Sequence, residues 1–125
     1  GLGAAIDFVN DWGYCGMQKR VSKLGQRMME GLQRIPGITI HNPENAYSGI
    51  VSFNVDGVHP HDASSIYDRE GISLRAGHHC SQPTMRTLGQ IATLRASAAF
   101  YNSVEEIDRF LTVTETTGDW LDVLF

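Results

Sequence analysis

The 125-residue chain holds just two cysteines, Cys15 and Cys80, and two lysines, Lys19 and Lys23. Two thiols so far apart in sequence do not make a disulfide scaffold, and a reducing compartment, the cytoplasm, is the expectation. Positive charge is scarce: ten Lys and Arg face fourteen Asp and Glu, for a net charge of −4. The basic residues are dispersed, and the lack of a basic stripe or run argues against nucleic acid as a partner. No apolar run approaches the ~18–20 residues of a membrane-spanning helix, and no charged segment leads into an apolar one as in a signal peptide. Internal repeats, linkers and low-complexity segments are missing too, which leaves one globular domain with a modest core. The first residue is not Met, and "GLGAAIDFVNDWGY" reads as the middle of a helical segment. We therefore expect a fragment of a longer protein.

What is present alternates between helix and short strand. Residues 1–13 form a short amphipathic stretch that ends at Gly13. Met17, Val21, Leu24, Met28, Leu32 and Ile35 then recur every three or four residues. That spacing predicts one apolar face of a helix of about five turns, stopped at Pro36-Gly37. "GITI" reads as a strand, "HNPENAYSG" as a loop, and "IVSFNVDG" as a half-buried strand with Val51, Phe53 and Val55 on one face. "HPHDASSIYDREG" predicts a helix after its second residue, with Gly71 at its end. "ISLRAG" and "ATLRASAAFY" follow as strands, the second with Leu94, Ala96, Ala98 and Phe100 on one face and Arg95, Ser97, Ala99 and Tyr101 on the other. Ser103 and Glu106 have the spacing of a capping box, and Val104, Ile107, Phe110 and Leu111 form the stripe of a last helix. The tail, with Trp120, Leu121, Val123, Leu124 and Phe125, is expected to pack. The pattern predicts an α+β fold: a small mixed or antiparallel sheet of three to four strands, with helices on one side.

The chemistry gathers in "LRAGHHCSQP", residues 74–83. A free thiol of pKa ~8.5 is only a few per cent thiolate at neutral pH, and a nearby cation or helix N-terminus favours the thiolate. Both devices are readable around Cys80. His78, His79 and Arg75 are close in sequence, and Pro83 suits the first position of a short helix. The ordinary alternative is a small buried hydrophobe. His59, His61, Asp62, His78, His79 and Cys80 are zinc-like residue types. Yet "HPH" and "HHC" are tighter than paired-ligand spacings, so no metal site is expected. Arg95 sits on a strand among alanines and serine. Arginine there is costly unless it holds an anion, for which its planar fork suits a carboxylate; an internal ion pair is the alternative. His41 falls in a turn and reads as structural.

"GISLRAGHHCSQPTM" followed by "LRASAAFYNSVEEIDRFL" resembles the C-terminal part of the group II, SUF-type cysteine desulfurases, fold-type I pyridoxal-phosphate (PLP) enzymes of the class V aminotransferase superfamily. The likeness runs back through "GVHPHD" and "IPGITIHNP" to "GLGAAIDFVN". The specific signal is the R-x-G-H-H-C block with R-A-S beginning fifteen residues after Cys80.

The resemblance implies that Cys80 is the persulfide-forming nucleophile and that Arg95 holds the substrate's α-carboxylate, with Arg75 a second active-site arginine. It implies a supporting, proton-handling role for His79 and an acceptor-docking role for His61. It implies PLP as the cofactor, L-cysteine as the substrate, L-alanine as the product, and a sulfur acceptor of the SufE/SufU kind for iron–sulfur cluster assembly. The full-length enzyme would be a homodimer. The family's cofactor lysine follows a histidine in a large N-terminal domain. Lys19 and Lys23 are four residues apart on a polar helix face, and neither follows a histidine. The expectation is therefore a single C-terminal small domain over residues 1–125, with residues 1–13 connecting to a large PLP domain. The fragment alone would be inactive and bind no PLP. A selenocysteine lyase or cysteine sulfinate desulfinase of the same fold, and a non-catalytic zinc- or acceptor-binding module, are the competing readings.

Overall fold

The computed structural model describes residues 1–116. The apolar tail noted above lies outside the described residues. Helix α1 spans Leu2–Trp12 and α2 spans Tyr14–Gln33. Between them Gly13 adopts φ 84°, a conformation glycine takes without strain, and its N–H donates back to Val9 and Asn10 carbonyls at 3.1 and 3.2 Å. The predicted stripe of α2 buries Leu24, Met28 and Leu32, with Met29 beside them. The helix ends just before Pro36, as expected.

Strands β1 (Ile38–Ile40), β2 (Ile50–Val55), β3 (Arg75–Gly77) and β4 (Thr93–Ser97) form a four-stranded sheet in the order β1-β2-β4-β3, antiparallel throughout. Helices α3 (Pro60–Arg69), α4 (Gln82–Leu88) and α5 (Val104–Glu115) complete the described chain. The α+β expectation holds. Side-chain alternation gives the sheet two unlike faces. Val51, Phe53 and Val55 of β2 and Leu94 and Ala96 of β4 point into one core with α2, α3 and α5. At its centre Phe53, Tyr67 and Phe110 pack with ring centroids 5.6–6.4 Å apart. The Thr114 hydroxyl donates to the Phe110 carbonyl at 2.8 Å, so the Tyr67 hydroxyl donates to Thr114 Oγ1 at 2.6 Å. Burial holds the Tyr67 phenol well above its ordinary pKa, with the Thr114 bond opposing.

The capping box is complete: Ser103 Oγ accepts from the Glu106 N–H at 3.1 Å, and the Glu106 carboxylate accepts from the Ser103 N–H at 2.9 Å. Two strands are shorter than predicted. The Ile72 N–H donates to the Tyr67 carbonyl at 2.9 Å, which ties "ISL" to the end of α3 and leaves β3 only three residues. Strand β4 stops at Ser97 because Asn102 turns the chain: its Oδ1 accepts from the Ala99 N–H at 2.8 Å. Arg20 then holds the carbonyls of Phe100 and Asn102, so Phe100 and Tyr101 lie outside the strand.

Helix α2 can lie against the loop before β2 only because position 25 is glycine. A Cβ there would overlap the Ser48 carbonyl oxygen, whereas one at Gly16 meets nothing. Gly25→Ala is expected to lower stability by about 1–3 kcal/mol through overpacking, against the ~1 kcal/mol that alanine otherwise gains in a helix. Gly16→Ala should match or exceed the parent. Urea denaturation of the three proteins measures this; a stabilised Gly25→Ala would contradict the close approach.

Candidate active site

The sheet face turned away from the core carries the predicted residues. Register places Ser52 of β2 and Arg75 of β3 directly opposite Arg95 of β4, on either side. A line of Ser52, Arg95 and Arg75 therefore crosses three strands. Like charges directly opposite in a ladder are destabilising, and among the described residues neither arginine makes an ion pair or a side-chain hydrogen bond. Arg95 Nε is buried and has no partner. A desolvated donor without an acceptor costs about 1–3 kcal/mol, more when charged. Among the described residues the internal ion pair considered for Arg95 is not formed. What remains is two arginines at opposed positions on neighbouring strands, an arrangement suited to an anion.

Beyond β3 the chain turns sharply. Gly77 has φ 133°, and His79 and Cys80 both lie in the left-handed region, at φ 53° and 59°. Consecutive non-glycine residues there are uncommon and cost energy. The Ser81 N–H closes the turn on the His78 carbonyl at 2.9 Å. Cys80 is exposed, so the buried-hydrophobe alternative fails. Helix α4 begins with Gln82 rather than Pro83, which takes the second position; Ser81 stands at the N-cap position, its hydroxyl bonded to Thr84 Oγ1 at 2.6 Å rather than to a backbone N–H. The helix thus begins two residues after Cys80.

His79 points back to the sheet. Its Nε2 lies 3.0 Å from Thr93 Oγ1 and 3.2 Å from the Thr93 carbonyl oxygen, and Thr93 is fully buried. Desolvation, then the charge of Arg95, lowers the His79 pKa; the Thr93 carbonyl opposes this, and Arg75 and His78 add smaller downward effects. At neutral pH the ring is neutral.

His61 is exposed at the start of α3 and stacks on His59 at 5.4 Å between ring centroids. The β2–β4–β3 register brings the end of β2, which leads into α3, to the same end of the sheet as Thr93 and Gly77. No hydrogen bond or ring contact joins His61 to the Cys80 loop among the described residues. Nor do three or more His, Cys, Asp or Glu side chains gather there into a metal-ligating group. Lys19 and Lys23 are exposed on α2, in the helix layer behind the sheet. The described residues do not fit a PLP anchor; Arg95 and Arg75 offer cationic donors to an anion.

Three neighbours were not singled out from sequence. Thr93 and Ser52 share the open face with Arg95, and strand parity carries that signal. His41, read as structural, gives its Nε2–H to Asn54 Oδ1 at 2.7 Å. Asn54 Nδ2 in turn donates to the Ala92 carbonyl at 3.0 Å, steadying the residue before Thr93.

Comparison with known proteins places this geometry in a family. The aminotransferase class-V family model matches residues 1–110, and the chain belongs to that family. It is 42% identical over 125 residues to a probable cysteine desulfurase of Halalkalibacterium halodurans, covering 100% of this chain and 30% of the relative. A probable cysteine desulfurase of Pyrococcus abyssi is 42% identical over 117 residues, 92% of this chain and 29% of its own length. Among solved structures, the apo cysteine desulfurase of Thermococcus onnurineus superposes with a TM-score of 0.88 at 42% identity, covering 92% of this chain and 29% of that one. The Escherichia coli cysteine desulfurase CsdA, in an S-sulfonic acid form, also reaches 0.88, at 29% identity over 95% of this chain and 29% of its own. The chain thus spans about 30% of the length of these relatives.

Burial first, and then the charge of Arg95, hold the His79 pKa down. In an NMR pH titration its midpoint should fall below the ordinary 6.5 and rise towards it in Arg95→Gln. Because the folded state takes up the proton less readily than the unfolded chain, this histidine lowers stability as pH falls through 6.5 towards the folded-state value. A midpoint that Arg95→Gln leaves in place would contradict the assigned cause.

Proposed function

We propose that this chain is the C-terminal small domain, residues 1–125, of a group II, SUF-type, PLP-dependent cysteine desulfurase. The single observation that carries the reading is the buried, unpartnered Arg95 Nε beside Arg75, on the sheet face next to an exposed cysteine. The family match and the cysteine desulfurase relatives support the reaction class. Helix α1 supports the domain assignment: none of its residues is buried, and Leu2, Ile6, Phe8 and Trp12 expose an apolar face suited to docking on the rest of a larger protein. PLP, held by that remaining part, supplies the electron sink for the substrate.

In this reading Arg95 grips the α-carboxylate of L-cysteine through charge-assisted hydrogen bonds, and Arg75 adds positive charge beside it. The substrate's sulfur is thereby aimed at Cys80. The Cys80 thiolate attacks that sulfur; an S–S bond forms and the substrate's Cβ–S bond breaks. The electron pair stays with carbon, and a proton added there gives L-alanine. His79, neutral at working pH, handles protons beside the thiol. Cys80 is left as a persulfide on an exposed loop, open to an acceptor protein of the SufE/SufU kind. His61, exposed at the same end of the sheet, is suited to meet that acceptor. Iron–sulfur cluster assembly in the cytoplasm, by a homodimeric enzyme, completes the proposal; the resemblance in the R-x-G-H-H-C block supports it.

In the full-length protein loaded with PLP, Cys80→Ala should abolish alanine and persulfide formation from L-cysteine while leaving the cofactor's absorption intact. Arg95→Ala should raise KM for L-cysteine by about 10–100-fold, the worth of a charge-assisted hydrogen bond. Cysteine turnover that survived Cys80→Ala would overturn the proposal. Selenocysteine turnover that survived it would support the lyase reading instead.

A further inference from the structure

Nothing in the residue pattern assigns a role to Thr93, yet it is the only partner that the His79 ring hydrogen-bonds among the described residues. We propose that Thr93 is a positioning residue for the Cys80 loop, holding His79 as the Nε2–H tautomer through its hydroxyl and carbonyl and so fixing the turn that presents the thiol. The inference rests on the functional reading above and deepens it.

The tautomer follows from the acceptor. A backbone carbonyl cannot donate, so an unprotonated Nε2 at 3.2 Å would set two lone pairs against each other. The proton must therefore sit on Nε2, shared between the carbonyl and Oγ1 at 3.0 Å. Nδ1 is left as the ring's acceptor, and it makes no hydrogen bond among the described residues. A histidine's chemistry is set by which nitrogen its partner occupies.

The mechanical argument is independent. His79 and Cys80 are both held at positive φ, in a conformation that persists only where the surroundings over-determine it. Thr93 is fully buried, on the same strand and face as Arg95 and directly opposite Gly77. The clasp thus ties the strained loop to the strand that carries the carboxylate-binding arginine. The charged and titratable groups around His79 are Arg95 on β4, Arg75 on β3 and His78 and Cys80 on the loop itself. Two of these are permanent cations, which favour a neutral ring whose single proton Thr93 can place.

The test uses Thr93→Val, which keeps shape and carbonyl but removes the hydroxyl, and Thr93→Ser, which restores it, in a Cys15→Ser background. Long-range 1H–15N NMR of the His79 ring should show the Nε2–H tautomer in the parent. Thr93→Val keeps the carbonyl and with it the Nε2–H tautomer, but without the hydroxyl the hold on His79 loosens, and the pH profile of Cys80 alkylation by iodoacetamide should change by roughly three- to tenfold, the worth of one hydrogen bond. Thr93→Ser should recover the parent profile. An Nδ1–H tautomer in the parent, a measurement that needs no variant to fold, would overturn the inference. So would a Thr93→Val protein with the parent's alkylation profile, beside a full-length Cys80→Ser that is inactive with L-cysteine. Turnover surviving Cys80→Ser would overturn the functional reading and this inference with it.

Discussion

A guanidinium nitrogen stripped of water and offered no acceptor is an unstable thing to build into a sheet, and a second guanidinium directly across the ladder makes it worse. Arg95 is in that position, with Arg75 opposite and its Nε buried. Acidic side chains are plentiful in this chain, but among the described residues those that pair with arginine do so elsewhere: Asp108 with Arg27, and Glu70 with Arg109. The fold tolerates the unpaired cations because its stability comes from the opposite face, where Phe53, Tyr67, Phe110 and the methionines of α2 are packed. Two-sidedness is the device: one face makes the domain stable, and the other carries cations that no described side chain neutralises.

The loop beyond β3 is built on the same economy. Two left-handed residues in succession would relax if free. They are held by the His79–Thr93 clasp on one side and by the start of α4 on the other, where Met85 is buried and the Ser81 N–H returns to the His78 carbonyl. Arg95 and Thr93 share one five-residue strand, so the unpaired guanidinium and the loop that carries the thiol have a common reference. The short-range order of the site follows from strand register.

Much of this was legible in the residues. The α2 stripe, the alternation of β2 and the Ser103–Glu106 box each obey a local rule, and each formed as read. Register joined Arg75 to Arg95 in a way that sequence could only suggest, because pairing is decided between segments twenty residues apart. The lengths of β3 and β4 escaped because their ends are set by loop and turn hydrogen bonds that interrupt the alternation, from Ile72 to Tyr67 and from Ala99 to Asn102. The need for glycine at position 25 is invisible in the helical pattern, because it comes from the Ser48 carbonyl packed against the helix. Thr93 has no motif at all: its value lies in a ring fourteen residues away that folds back onto it.

The account stands or falls on what occupies the position between Arg95 and Arg75. A crystal structure of the full-length Cys80→Ser protein with PLP and L-cysteine bound would show it directly. The account requires the amino acid's carboxylate against the Arg95 guanidinium, with its sulfur facing residue 80. A carboxylate held by other residues, with Arg95 paired to a protein acid, would contradict it.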